Sequence, residues 1–268
     1  MTNKYIIQYS LFGSNPRYYD ALCQNISFIN SNYSDFFAVS IVLGDGVPTE
    51  WVNYLNKTSA KIINYDEDLL INVHHDFFRI YTILAGDGLG CFCRDADSFL
   101  SKNEIDSMMR FIESDYSFHI IRDHPNHLAP IMAGTFGVKS NGYELVKNAL
   151  VKNLHKYSYL NTDWRNFKSA VRGDQEILAN YIYPLVYKNS YIESNYTIFY
   201  NERSLVSKCL IPKTEGPSIG EIDPKYNDYA SRDKNDYING KRKMYLPYWI
   251  IRLFGYRYVY RIYWTMSD

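Results

Sequence analysis

Short apolar runs alternate with segments of helical periodicity along the first half of the chain, and this alternation restricts the fold more than any other feature. An apolar run at residues 5–9 is followed by a turn containing Gly13 and Pro16 and by a helical segment from about residue 18 to 32. Further strands are predicted at residues 36–43, 60–64, 90–93 and 118–122, and further helices at residues 49–55, 77–84 and 102–114. Strands separated by helices pair in parallel, so we predict an α/β fold with a mostly parallel central sheet and helices on both faces.

The composition is that of a folded protein with balanced charge. The chain has 268 residues, of which 46% are apolar, with 29 Lys and Arg against 29 Asp and Glu. This excludes a charge-driven disordered chain and argues against a dedicated nucleic-acid binder, so we expect no nucleic-acid partner. The four cysteines are irregularly spaced and include no CxxC pair, which predicts neither a disulfide framework nor a zinc site.

The linear organisation predicts one large domain with a C-terminal extension. Residues 1–213 form the main domain, residues 214–240 are a linker rich in Pro, Gly, Asn and Asp, and residues 241–268 are a basic aromatic segment. No signal-peptide-like apolar run opens the chain, and no stretch reaches the roughly 18 apolar residues of a membrane span. We therefore expect a cytoplasmic protein that is at most peripheral at a membrane.

The strongest local signal is the sequence Arg94-Asp95-Ala96-Asp97-Ser98, which directly follows a predicted strand. In an open α/β sheet, ligands bind at the carboxyl ends of the strands. Two carboxylates one residue apart can both reach a hard divalent cation that also holds a diphosphate, and Arg94 could pair with phosphate oxygens. A solvated surface turn is the alternative, but the position after a buried strand favours a metal site.

Five blocks occur in order between about residues 18 and 184: YYDALCQNISFINSNYSDFFAVSIVLGDGVP, FFRIYTI, CRDADSFLSKNEIDSMMRFIESDYSFHIIRDHP, IMAGTFGVK and GDQEILANYIYP. Their order and spacing resemble nucleotide-sugar glycosyltransferases of the GT-A (Rossmann-like) fold, especially bacterial and large-virus glycosyltransferase-like proteins. The resemblance implies that Asp95 and Asp97 form the family's Asp-x-Asp motif, which binds Mn²⁺ or Mg²⁺ and the donor diphosphate. It also implies metal-dependent transfer of a hexosyl or pentosyl group from a nucleotide sugar, by analogy a UDP-sugar, to a hydroxyl of a glycan acceptor.

The same resemblance implies roles for residues outside this motif. Arg79 would contact the donor, although a surface arginine on an amphipathic helix is equally compatible with the sequence. His124 would supply a third metal ligand or contact the acceptor sugar, with an ordinary polar loop residue as the alternative. Gly134 would lie under the transferred sugar, where the missing Cβ permits close approach, and Lys139 would face a phosphate. The alternative for this segment is an ordinary strand with a β-bulge.

Asp174 and Gln175 begin a further helical run, and similar transferases place a catalytic or donor-binding carboxylate there. A simple helix N-cap is the alternative for Asp174. Glycosyl transfer needs a cation for the departing diphosphate and, if the anomeric centre inverts, a base for the acceptor hydroxyl. The predicted residues are Asp174 for catalysis, Arg79, Arg94, Asp95, Gly134, Lys139 and Gln175 for donor binding, and Asp95, Asp97 and His124 for the metal.

The C-terminal segment has a different character from the main domain. Residues 241–264 contain six Lys or Arg, no acidic residue and nine aromatic residues, including Trp249 and Trp264. This pattern suits an anionic membrane surface, a helix packed on the main domain or stacking on single-stranded nucleic acid. A noncatalytic carbohydrate- or membrane-binding module on the same fold is therefore the alternative function, while a two-metal phosphohydrolase would need a second carboxylate cluster.

Overall fold

The computed structural model describes residues 3–64, 75–124, 127, 129–154, 173–195, 197–206, 219–220, 222 and 244–246. Seven strands form the central sheet: β1 (Tyr5–Leu11), β2 (Phe37–Leu43), β3 (Lys61–Asn64), β4 (Gly90–Arg94), β5 (Phe118–Arg122), β6 (Thr135–Lys139) and β7 (Ser190–Ser194). Their order is β3-β2-β1-β4-β6-β5-β7, and only the two pairings that involve β6 are antiparallel. The mostly parallel central sheet expected from the sequence is confirmed.

The described helices connect or follow these strands. The α-helices are α1 (Pro16–Asn32), α2 (Thr49–Leu55), α3 (Tyr81–Ala85), α4 (Lys102–Glu113), α5 (Tyr143–Leu154), α6 (Gly173–Ile177), α7 (Tyr183–Val186) and α8 (Arg203–Val206). Four 3₁₀ segments lie at His75–Ile80, Ser140–Gly142, Tyr187–Asn189 and Tyr200–Glu202, and Leu178–Ile182 is a π-helical segment. A second sheet pairs β8 (Thr197–Phe199) in parallel with β9 (Met244–Leu246).

The core lies in two layers, one on each face of the central sheet, because successive side chains along a strand point in opposite directions. Phe92 of β4 joins a buried cluster with residues of β1, β2, α1, α2 and α4. Its neighbours Cys91 and Cys93 join the opposite cluster, which contains residues of β5, β6, α3, α5 and α6. Helices therefore cover both faces, which confirms the predicted fold class.

The beginning of α1 follows from local sequence chemistry. Asn15 is its N-cap, with Oδ1 accepting a hydrogen bond from the backbone N–H of Arg17 at 3.1 Å. Pro16 occupies the first turn, where its missing N–H removes no helical hydrogen bond. Helix α1 thus begins in the turn after β1, and its N-terminus lies at the carboxyl edge of the sheet.

Two predicted helices differ in the structure. The helix predicted at residues 77–84 is a 3₁₀ segment, His75–Ile80, that continues into α3. The helical run after Gly173 continues through the π-helical segment into α7, which has Pro184 in its first turn. Proline is tolerated there because the first-turn N–H groups have no partner within their own helix.

Parts of the predicted linker and basic aromatic segment contact the main domain. In the basic aromatic segment, Met244–Leu246 forms β9 and pairs with β8. In the predicted linker, Ile219 is buried and Ile222 forms a β-bridge with Ser98. Apart from Gly220, the remainder of both segments lies outside the described residues. In the described part of the chain, no helix combines the length and the hydropathy needed to cross a membrane.

Candidate active site

The strand order creates a crevice at the carboxyl edge of the sheet. From β1 the sheet extends through β2 to β3 on one side, whereas β4 pairs with β1 on the other side. The connections after β1 and β4 therefore diverge, and ligands of open α/β sheets bind at such a reversal of strand order. Arg17 follows β1, and Asp95 and Asp97 follow β4, so charged side chains from both connections lie at this position.

Three carboxylates and two guanidinium groups meet at this crevice. Arg79, from the 3₁₀ segment before α3, donates a hydrogen bond through Nη1 to Asp95 Oδ1, and its Nε lies 3.6 Å from Asp174 Oδ2. Arg17, in the first turn of α1, places Nη2 3.1 Å from Asp97 Oδ2. The structure thus brings Arg79, Asp95, Asp97 and Asp174 together from three separate parts of the chain: the 3₁₀ segment, the turn after β4 and α6.

The two aspartates of the Asp-x-Asp sequence have different surroundings. The Asp95 side chain is 44% exposed and that of Asp97 is 10% exposed. Burial raises the pKa of Asp97, the negative charge of Asp95 raises it further, and Arg17 and Arg79 oppose both effects. Asp95 is therefore open to a ligand, while Asp97 is held close to compensating positive charge.

The chemistry of this carboxylate pair fits a hard divalent cation. Mg²⁺ and similar cations prefer oxygen ligands and are commonly held by one or two carboxylates together with water and substrate phosphates. Among the described residues, no three His, Cys, Asp or Glu side chains are close enough to hold a metal ion together. The structure accordingly does not place His124 with Asp95 and Asp97, and the His124 ring instead lies 5.5 Å from that of His127.

Gly134 and Gln175 determine how the neighbouring backbone lies against Asp95. A Cβ atom at Gly134 would clash with Asp95 Oδ2, so any larger residue here would displace this carboxylate from its present position. Gln175 holds the preceding segment through both ends of its amide: Nε2 donates to the carbonyl of Ile131, and Oε1 accepts from the N–H of Ala133 at 3.3 Å. Both residues thus position the wall of the crevice.

The structure gives Arg94 a role different from the predicted donor contact. Its side chain is fully buried, with Nη1 3.0 Å from Glu104 Oε1. Nη1 also donates to the carbonyl of Gly134 at 3.2 Å, and Nη2 donates to that of Phe99 at 3.1 Å. Burial raises the pKa of Glu104 to about 7, and Arg94 opposes that rise. Arg94 therefore ties β4 to its surroundings, and because its side chain is fully buried it is inaccessible for the predicted donor contact.

Lys139 is also separated from the carboxylates. Because β6 runs antiparallel to β4, Thr135 pairs with Arg94, whereas Lys139 pairs with Gly90 at the opposite end of β4. Four residues of strand correspond to about 13 Å. Lys139 Nζ donates to the carbonyl of Ser114 instead, so the predicted phosphate contact is corrected as well.

A short part of the predicted linker borders the crevice. The backbone N–H of Ile219 donates to Asp123 Oδ2 at 3.2 Å, and Ile222 bridges to Ser98, the residue after Asp97. From its composition this segment was predicted to be a linker. Its contacts could not be predicted, because the partners of these residues lie about a hundred positions earlier in the chain.

Arg17 is a charged residue of this crevice that the sequence reasoning missed. The available signal was its position directly after Pro16 at the start of the helix that follows the first strand. In a parallel sheet with helical connections, that position lies at the carboxyl edge.

No protein-family model matches this sequence, and a search of curated proteins gives no match. The structure is similar to solved glycosyltransferases. They include GlyE of Streptococcus pneumoniae TIGR4, with 14% identity, 72% of this chain and 45% of that chain covered, and a TM-score of 0.47. A glycosyltransferase involved in glycosylation of the major capsid of PBCV-1 has 12% identity, 79% and 94% coverage and a TM-score of 0.43.

The galactosyltransferase LgtC, solved with donor and acceptor sugar analogues, has 10% identity, 75% of this chain and 77% of that chain covered, and a TM-score of 0.45. The chain spans less than half the length of the GlyE structure. Since all three TM-scores are below 0.5, a function for this chain has to be argued from its own residues.

Proposed function

We propose that this chain is a divalent-metal-dependent glycosyltransferase of the GT-A type. It would move one sugar from a nucleotide-sugar donor, specifically a UDP-sugar, to a hydroxyl of a glycan acceptor. The observation that carries the proposal is the meeting of Asp95, Asp97, Asp174 and Arg79 at the reversal of strand order. A noncatalytic attachment module has no need for three carboxylates and a guanidinium group in one crevice.

Asp95 and Asp97 would hold the cation, Mn²⁺ or Mg²⁺, which when bound would neutralise the departing nucleoside diphosphate. Arg79 would donate hydrogen bonds to a phosphate oxygen, and its position between Asp95 and Asp174 supports this role. Gly134 and Gln175 would shape the donor side of the crevice. His124, Arg94 and Lys139 are left out of this arrangement because of where the structure places them.

Asp174 is the proposed catalytic carboxylate. Its Oδ1 accepts a hydrogen bond from the backbone N–H of Gln175 at 2.6 Å, which fixes the carboxylate plane at the start of α6. Its Oδ2 faces Arg79. In an inverting transfer, Oδ2 would accept the proton of the attacking acceptor hydroxyl after Arg79 has turned towards the donor phosphates. In a retaining transfer, the departing diphosphate would take that proton, and Asp174 would orient the donor.

Calorimetry with UDP tests the metal-dependent donor site. Wild-type protein should bind UDP far more tightly with Mn²⁺ than with a chelator, because the carboxylates alone repel a diphosphate. Asp97→Asn should lose most of this metal-dependent gain. Asp106→Asn is the matched control, because Asp106 pairs with the exposed Lys102 and not with the crevice.

Equal UDP affinity in wild type and Asp97→Asn at saturating Mn²⁺ would remove the metal from the proposal. A screen of nucleotide sugars for hydrolysis and thermal stabilisation, with and without Mn²⁺, then identifies the donor. Binding of glycans or vesicles without any response to nucleotide sugars would support the noncatalytic alternative.

A further inference from the structure

Arg17 is the second guanidinium group of the crevice and has no part in the function proposed above. It lies in the first turn of α1, a helix of 17 residues whose N-terminus is at the carboxyl edge of the sheet. Its side chain is 32% exposed, and Nη2 lies 3.1 Å from Asp97 Oδ2. The side chain is therefore accessible from the crevice and bound to one of the two carboxylates proposed to hold the cation.

The orientation of Arg17 is fixed by its neighbour. Its guanidinium carbon lies 4.6 Å from the centre of the Tyr18 ring, and Nη2 also donates to the Tyr18 hydroxyl at 2.7 Å. The Tyr18 ring in turn lies 6.2 Å from that of Phe12. The buried Nε–H of Arg17 finds no hydrogen-bond partner within the described part of the chain. Arg17 is thus held beside Asp97 with hydrogen-bonding capacity to spare.

The charges of the crevice suggest what Arg17 does when the site is filled. Asp97 pairs with Arg17, but a divalent cation held by Asp95 and Asp97 would compete with Arg17 for the same carboxylate oxygens. A diphosphate arriving with the cation brings several anionic oxygens, which suit the guanidinium fork of Arg17. Arg17 would then exchange one anionic partner for another without losing its position on Tyr18.

We propose, on the basis of the function proposed above, that Arg17 binds the donor diphosphate. In the empty site it neutralises Asp97; in the filled site it turns its guanidinium group to the phosphate oxygens. Arg17 therefore competes with the divalent cation when no nucleotide is bound and cooperates with it when nucleotide is bound. A residue that only stabilises the fold would not have opposite effects on the two ligands.

Two calorimetric titrations of wild type and Arg17→Gln test this exchange: Mn²⁺ alone, and UDP at saturating Mn²⁺. We expect Arg17→Gln to bind Mn²⁺ alone more tightly, by about 2- to 10-fold, because a competing charge is gone. We expect it to bind UDP more weakly, by about 10- to 100-fold, because charge-assisted hydrogen bonds are lost. Arg17→Lys keeps the positive charge but loses the forked guanidinium group. Its Mn²⁺ affinity should therefore stay near that of wild type, and its UDP affinity should lie between those of wild type and Arg17→Gln.

Lys102→Gln is the control, because it removes one positive charge from an exposed pair with Asp106 on α4. It should change neither titration, and circular dichroism should show that all variants are folded. A wild type that binds both ligands, with Arg17→Gln changed in neither or weakened in both, overturns this proposal alone. A wild type that binds Mn²⁺ but no nucleoside diphosphate overturns this proposal and the proposed function together.

Discussion

At the scale of single residues, Asp174 distinguishes the possible reaction routes, because it lies in the crevice and also in the first turn of α6. Asp174→Asn keeps an acceptor for the N–H of Gln175 but cannot take up a proton. If Asp174 is the base of an inverting transfer, turnover should fall by about 10²- to 10⁴-fold with donor affinity nearly unchanged. If the transfer retains configuration, donor affinity should change instead, and NMR of the product should show a preserved anomeric configuration.

Asp174→Ala tests the alternative that Asp174 only stabilises the start of α6 and takes no part in catalysis. If the carboxylate only satisfies the first turn of α6, Asp174→Ala should cost about 1 kcal/mol of unfolding free energy, and Asp174→Asn should be nearly silent in every assay. Wild-type turnover in Asp174→Asn would remove Asp174 from catalysis. Denaturant unfolding and steady-state kinetics on both variants separate these cases.

Each residue that was misassigned or missed from the sequence has its own physical reason. Arg94 and Asp95 are adjacent in sequence, but they lie on opposite sides of the boundary between strand and turn. Arg94 is consequently buried with Glu104, while Asp95 is exposed. Lys139 was placed near the phosphates because the sequence of a short apolar strand does not encode its direction in the sheet. Arg17 was missed because its partner Asp97 lies far away in the sequence.

At the scale of secondary-structure elements, α4 is joined to β5 and β7 by a buried polar network. Ser107 of α4 donates a hydrogen bond to Glu193 of β7, and its oxygen lies 3.0 Å from Nε2 of His119 on β5. Arg110 Nη2 donates to the other Glu193 oxygen at 2.8 Å. Burial lowers the pKa of His119, although Glu193 opposes this effect. The network therefore holds a neutral imidazole between helix and sheet.

This network predicts a pH dependence of stability. The unfolded chain protonates His119 near its ordinary pKa of about 6.5, while the folded chain does not, so falling pH favours unfolding. The free energy of unfolding of wild type relative to His119→Gln should therefore decrease from about pH 7.5 to about pH 5.5, by at most about 1.4 kcal/mol per pH unit. Urea unfolding of both proteins across this range measures the difference.

Ser107→Ala provides the comparison for that experiment. It removes a hydrogen bond to the network but leaves the imidazole able to titrate, so it should lower stability by about 1–3 kcal/mol and retain a pH dependence. An identical pH profile for wild type and His119→Gln would show that the folded protein does not exclude a proton from His119.

At the scale of the whole molecule, the sequence predicted the first five strands of the sheet but neither β7 nor the contacts with the C-terminal region. The strands of the first half have short apolar runs bounded by turns, and this local pattern was sufficient to predict β1 to β5. The carboxylates of the crevice could be predicted because the carboxyl edge of a parallel sheet is a general location for ligands. The contacts of Ile222 with Ser98 and of β9 with β8 depend on partners distant in sequence, which composition alone does not reveal.

The sequence of the C-terminal segment left open whether it packs on the main domain or binds an anionic membrane, and β9 makes it possible to separate the two roles. A chain that ends at Asn235 lacks β9, whereas a chain that ends at Pro247 retains its pairing with β8. We expect the chain ending at Asn235 to melt several degrees below the full chain and the chain ending at Pro247 to melt near it. In a protein of this size, each kcal/mol corresponds to roughly 2–4 °C.

Membrane binding should follow a different order, because residues 248–268 contain Arg252, Arg257 and Arg261 and most of the aromatic side chains of the segment. Each basic residue near an anionic surface contributes about 1 kcal/mol, and interfacial aromatics add to this. The chain ending at Pro247 should therefore lose most affinity for phosphatidylserine vesicles in a sedimentation assay while keeping its melting temperature and its transfer to a soluble acceptor. Equal vesicle binding by the full chain and the chain ending at Pro247 would exclude a membrane role for residues 248–268. A loss of solubility on the same truncation would show instead that these residues pack on the main domain.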